Sequence, residues 1–132
     1  MEKSLVFVVS ANDAVRDSTR QLIEAAGLHA QTFATIQAFL DAVVSGRRAC
    51  LVLDVNKGDL SDPQGQTLLA TACARVPGLL IVDRGDVPMA VKAVQAGAME
   101  IVQKPYADEN LLRSIKQALQ AVPFFAPLSE KM

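Results

Sequence analysis

Three short stretches of the chain are almost wholly apolar: Leu5-Val6-Phe7-Val8-Val9, Cys50-Leu51-Val52-Leu53 and Leu79-Leu80-Ile81-Val82. None alternates polar with apolar residues. Each therefore predicts a strand buried on both faces, which only helices above and below a sheet can cover. The intervening segments supply those helices. Asn12 can cap one through about Ala26, with Val15, Leu22, Ile23 and Ala26 on one face and Gly27 as its stop. Thr35 can cap a second, carrying Ile36, Phe39, Leu40 and Val43 and ending near Gly46. A third is predicted from Gln64 to Arg75, before Pro77. Asp86 can cap a fourth, with Pro88 in its first turn and Gly97 past its end. The last runs from Asp108 to about Ala121, with Leu111, Leu112, Ile115 and Leu119 at core spacing.

Two weaker strands complete the pattern. His29 to Ala34 is mixed in polarity, as expected at a sheet edge, and Met99 to Gln103 reads as the last strand. The order is strand then helix, five times over. Such alternation implies an α/β, doubly wound sandwich around a parallel sheet. One domain is expected over residues 1–122. The segment Pro123-Phe124-Phe125-Ala126-Pro127-Leu128 breaks the helical pattern, so 123–132 is expected to be a tail or linker stub.

Composition narrows the functional classes. A chain of 132 residues is long enough for one core without staples. Its net charge of −1 gives no bulk electrostatic reason for nucleic-acid or membrane binding. Cys50 and Cys73 have no CxxC spacing and read as small buried residues, not as a metal or redox pair. The start lacks the basic and long apolar regions of a signal peptide, and no apolar run is long enough for a membrane span. A cytoplasmic location is the expectation. There is no Gly-rich phosphate loop and no nucleophile–base pair, so an enzyme or flavin-binding protein on this architecture is not expected.

Ligands of open parallel sheets bind outside the carboxyl ends of the strands. Ser10 and Ala11 follow the first strand, Asp54 ends the third, Val82-Asp83 the fourth and Lys104-Pro105 the fifth. Asp54 and Lys104 converge on one crevice. The run Gly85-Asp86-Val87-Pro88-Met89-Ala90-Val91, continuing to Ala96-Gly97-Ala98 and Lys104-Pro105-Tyr106, resembles the fourth helix and fifth strand of FixJ-like, CheY-like response-regulator receivers. Val8-Val9 followed by Asn12 to Ser18, Thr32-Phe33-Ala34 with Phe39-Leu40, and Leu51-Val52-Leu53-Asp54 resemble other parts of that family. The likeness spans roughly residues 4–121 and implies a flavodoxin-like (βα)5 fold with strand order 2-1-3-4-5.

The resemblance also implies a chemistry. A receiver takes a phosphoryl group from a histidine kinase onto an aspartate, with Mg²⁺ neutralising the oxygens that must meet. By resemblance Asp54 is the phospho-acceptor position and Lys104 the phosphoryl-contact lysine, with a cis bond to Pro105. Asn56 stands where a backbone carbonyl would meet the metal. Ser10 and Ala11, however, occupy the acidic metal-binding pair, and neither is a good Mg²⁺ ligand. Val82 replaces the Thr or Ser that switches, and Ile101 replaces its aromatic partner. The loop after Asp54 lacks the usual Met-Pro. Asp83 adds a carboxylate beside the crevice, where an ion pair with Lys104 would mimic an occupied site.

Weighed against these, the plainer readings are a helix cap for Asn12 and a first-turn acid for Asp13. Asp59 and Asp62 read as solvated loop residues, and His29 as a half-exposed structural residue. The expected function is a degenerate receiver in two-component signalling. It would act by protein–protein contact without phosphorylation and hold no metal or cofactor. The alternative is a competent receiver that phosphorylates Asp54 through an atypical Mg²⁺ site. The expected partners are a histidine kinase or another signalling protein, and a second copy through the fourth helix and fifth strand. There Met89, Val91, Ile101 and Val102 are the candidate contacts. Direct nucleic-acid binding by this domain is not expected.

Overall fold

A parallel sheet of five strands, ordered β2-β1-β3-β4-β5, carries the molecule: β1 (Leu5–Ser10), β2 (His29–Phe33), β3 (Ala49–Asp54), β4 (Gly78–Asp83) and β5 (Glu100–Lys104). The structure is a computed structural model. It describes residues 4–42, 49–54 and 63–131, the side chains of 121–131 excepted. The sheet order is the one the resemblance implies. The helices are α1 (Asp13–Ala25), α2 (Ile36–Ala42), α3 (Pro63–Arg75), α4 (Val87–Gln95) and α5 (Asp108–Lys131).

The caps hold where the sequence places them. Asn12 accepts from the Val15 amide at 3.1 Å, Thr35 from Ala38 at 3.0 Å and Asp86 from Met89 at 3.2 Å. Each satisfies one of the amides a helix start leaves without an internal partner. Gly97 closes the stop after α4 at a φ of 99°, a conformation that costs a side-chain-bearing residue energy.

Unbroken apolarity of the central strands splits into two cores because successive side chains alternate between faces. Phe7, Val9, Leu51, Leu53, Leu80 and Val82 face α2, α3 and α4. Val6, Val8, Cys50, Val52, Leu79 and Ile81 face α1 and α5. On the first side Phe39 packs edge-on against Phe7 and Phe33, with ring centroids 5.2 and 5.8 Å apart. Such geometry suits the ring quadrupoles.

Three details differ from the sequence reading. β1 runs one residue further, into Ser10, which joins the polar strand tips Asp54, Asp83 and Lys104 where the sequence places them. Backbone pairing thus continues past the last apolar side chain and brings the candidate site residues under the control of the sheet. Leu112 is only half-buried, and Ser114 and Ala118 fill the α5 face instead. Finally, α5 continues through Pro123 and Pro127 to Lys131 instead of stopping near Ala121. An internal proline costs a helix about 3 kcal/mol through a lost amide and a crowded carbonyl, which is a bias against helix and not a prohibition. Val43, Gly46 and the loop from Asn56 to Asp62 lie outside the described residues.

Candidate functional site

The register decides which strand tips meet. Ser10 is level with Asp54, and Asp54 is level with Ile81. Lys104 is level with Asp83, one two-residue repeat further out. Ser10, Asp54, Asp83 and Lys104 all follow the parity of the residues that face α1 and α5, so they emerge on one side of the sheet.

Asp54 is held from two directions. The Ser10 hydroxyl donates to Oδ2 at 3.1 Å, and the Lys104 ammonium lies 3.1 Å from Oδ1. The Asp54 side chain is 12% exposed and that of Lys104 44%. A carboxylate so enclosed needs its charge balanced, and a charge-assisted pair does so. Ser10 is fully buried. Its hydroxyl also accepts from the Asn12 amide at 3.2 Å, and its carbonyl accepts from the Arg16 guanidinium at 2.7 Å. Arg16 is in turn paired with Asp13. Ser10 is thus the junction between β1, the turn into α1 and the Asp54 carboxylate.

Asp83 does not pair with Lys104, in contrast to the expectation from the sequence. It is exposed and makes no ion pair among the described residues. Two residues beyond Asp54 is about 6.6 Å further along a strand. Asp83 therefore projects into water, where an ion pair gains little. The long Lys104 side chain lies back over the tip of β4 to the enclosed Asp54, where attraction is stronger.

The remaining positions sort by face. Val82 is buried beside Met89, and Ile101 is partly buried against the same cluster. Neither offers a hydrogen bond to the crevice. The bond between Lys104 and Pro105 is cis. Of the four candidate contacts, Met89 and Val102 belong to the cores and Ile101 is partly covered, leaving Val91 exposed. The exposed apolar residues of α4 are instead Val87, Val91 and Val94.

As a donor set for Mg²⁺ these side chains do not fit. The ion requires near-octahedral oxygen ligands, usually with more than one negative charge. Ala11 has no ligand atom and is exposed, Ser10 is neutral and engaged, and Asp54 is already neutralised by Lys104. Among the described residues no group of three His, Cys, Asp or Glu side chains could hold a metal ion. Asn56 lies outside those residues.

Sequence reasoning missed two members of the site. Arg16 sits one turn into α1, and its position one turn after a cap that follows a strand tip was the available signal. Tyr106 is half-buried, and its hydroxyl is pushed upward in pKa, first by burial and then by the charge of Asp54. That places the phenol within electrostatic range of the crevice, on the side of α5.

Comparison with known proteins accords with this geometry. Residues 6–116 match the response regulator receiver domain family. Response regulator protein TmoT of Ectopseudomonas mendocina is 35% identical over 122 residues, which is 92% of this chain and 56% of that protein. Transcriptional regulatory protein FixJ of Bradyrhizobium diazoefficiens is 34% identical over 122 residues, 92% of this chain and 60% of that one. The crystal structure of FixJ-N superposes with a TM-score of 0.77 at 29% identity, covering 91% of this chain and 96% of its own. This chain spans little more than half the length of the curated relatives it matches. A chain that matches this family along most of its length, and folds as its solved members do, belongs to it: this is a response regulator receiver domain.

Proposed function

We propose that this receiver signals by protein–protein contact and not through a Mg²⁺-dependent phosphoryl cycle on Asp54. The observation that carries the reading is the Ser10–Asp54–Lys104 arrangement. The carboxylate that would attack phosphorus is neutralised from within the molecule, while the positions that would bring a metal to it hold Ser10 and Ala11. Val82 supports the same view. It is 2% exposed in an apolar core, so phosphate at Asp54 would find no hydroxyl there to draw toward it. The partners are a histidine kinase or another signalling protein. A second copy is a further partner, through α4 and β5. Val87, Val91 and Val94, 65%, 48% and 62% exposed, supply the apolar area. A shallow cleft of about 330 Å³ runs beside them toward Ile101 and Gln103. The transcriptional role named for the FixJ relative is proposed for the whole protein, with this domain as its regulatory part.

One observation favours a second reading, a slow but competent phospho-acceptor. The Asp54–Lys104 contact at 3.1 Å is the geometry a phosphoryl-contact lysine needs. Backbone NMR separates the two. The chain is titrated with Mg²⁺, then with Mg²⁺ and beryllofluoride. The contact-only reading expects no specific shifts at millimolar concentrations. Shifts at Asp54, Asp83 and Lys104 that spread into α4 would overturn it in favour of the second reading.

A further inference from the structure

We propose that the open edge of β2 pairs with β2 of a second copy of this chain, antiparallel about a two-fold axis at Gln31. β2 lies at one end of the sheet and is hydrogen-bonded on one side only, to β1. The His29 amide donates to the Ser4 carbonyl at 3.2 Å, and His29 is level with Leu5. In a parallel pair such a residue turns both its amide and its carbonyl toward the neighbour, and the next residue turns both away. His29, Gln31 and Phe33 therefore face β1. Ala30 and Thr32 present two amides and two carbonyls outward, with no backbone partner among the described residues.

Such a row is a template for another strand, and edges are usually guarded against it with charge, proline or a bulge. β5, the other edge, carries Glu100 and Lys104. β2 reads His29-Ala30-Gln31-Thr32-Phe33, with no lysine, acid or proline and an unbroken register to β1. α1, which packs on β2, adds no unbalanced charge either. Its Arg16 is paired with Asp13, and its Arg20 with Asp17 and Glu24.

Symmetry selects a second copy as the occupant. The free groups sit one residue to either side of Gln31. Antiparallel pairing centred there sets Ala30 opposite the partner's Thr32 and Thr32 opposite the partner's Ala30, so every outward amide meets an outward carbonyl. A centre at Ala30 or at Thr32 leaves the other residue unmet, and a one-residue slip sets outward groups against inward ones. A lone foreign strand would leave its own far side open, whereas the two-fold closes both edges together. The side chains agree. Gln31 meets the partner's Gln31, and each amide group can both donate and accept. Exposed His29 meets the partner's Phe33, a ring already fixed edge-on against Phe39 at 5.8 Å. No like charges face each other across the axis. The contact uses no group of the crevice, so it stands or falls separately from the proposal above.

The test uses the whole chain, with and without Val91→Glu, so that association through the valines of α4 is told apart. Amide exchange and sedimentation are followed as the protein is concentrated into the millimolar range. The expected result is exchange at Ala30 and Thr32 that slows as concentration rises, in both chains. His29, Gln31 and Phe33, already bonded to β1, should not change. Gln31→Lys sets two ammonium groups face to face on the axis and should weaken the association about fivefold, and Gln31→Glu should do the same. Gln31 is exposed, so both variants keep the fold. Mixing the two variants one to one should restore the association, because lysine then faces glutamate. Exchange at Ala30 and Thr32 that ignores concentration overturns the proposal. So does protection that vanishes with Val91→Glu, association that leaves the two amides unprotected, or a mixture no stronger than its parts.

Discussion

Ser10 carries more of the crevice than its size suggests. It bonds Asp54, the Asn12 amide and the Arg16 guanidinium at once, with no exposed surface. Ser10→Ala removes the hydroxyl from a buried junction and should cost about 1 kcal/mol in chemical denaturation. Lys104→Met should cost more, about 1–3 kcal/mol, because it leaves the enclosed Asp54 carboxylate without its counter-charge. Adding Asp54→Asn to Lys104→Met should recover part of that loss, since the stranded charge goes with it. If the two changes are simply additive, the pair is not the stabilising contact. Restoring carboxylates with Ser10→Asp and Ala11→Asp should create a rise in melting temperature on adding millimolar Mg²⁺ that the unmodified chain lacks. The cysteines give a pH dependence. Burial pushes Cys50 up to about 12 and Cys73 up to about 11, whereas an ordinary thiol ionises near 9.0. The unfolded chain therefore loses these protons first. Their contribution to stability is full below pH 9 and falls as pH rises toward 11 and 12. Replacing both with alanine should flatten the alkaline fall in denaturation midpoint.

At the scale of elements, helix starts were legible because capping is local chemistry. Asn12, Thr35 and Asp86 each meet an amide three residues ahead, and no distant residue is needed. The end of α5 was not legible, since Pro123 states a preference that the rest of the helix overrides. The close approach of α3 to β4 was likewise hidden. A methyl on Gly78 would meet the Cys73 sulfur at 2.9 Å, too near for any real contact. Gly78→Ala should therefore destabilise by about 1–3 kcal/mol. The same change in a Cys73→Ala background should cost markedly less, and a double-mutant cycle of denaturation midpoints measures the difference. No coupling between the two would refute the steric account.

For the molecule as a whole, the exposed valines of α4 and the open edge of β2 are separate surfaces with different chemistry. An apolar patch associates through area, and an edge associates through backbone pairing. Val91→Glu should weaken any self-association through α4 seen in sedimentation while leaving the fold and the β2 edge intact, because the residue is 48% exposed and outside both cores. A dimer as strong in that variant as in the parent would move the apolar interface away from α4. The fold class, the strand order implied by resemblance and the placing of Asp54 and Lys104 at strand tips are all legible in the sequence. Buried parallel strands must be apolar throughout, and their ends must carry whatever chemistry the sheet supports. What the chain's own pattern could not determine was which charges pair. Asp83 and Lys104 are neighbours in register, yet Lys104 reaches past Asp83 to Asp54. That choice depends on relative depth below the sheet tip and on how enclosed each carboxylate is. Both are set by the stagger of four strands and the helices over them, and only the tertiary structure fixes that stagger.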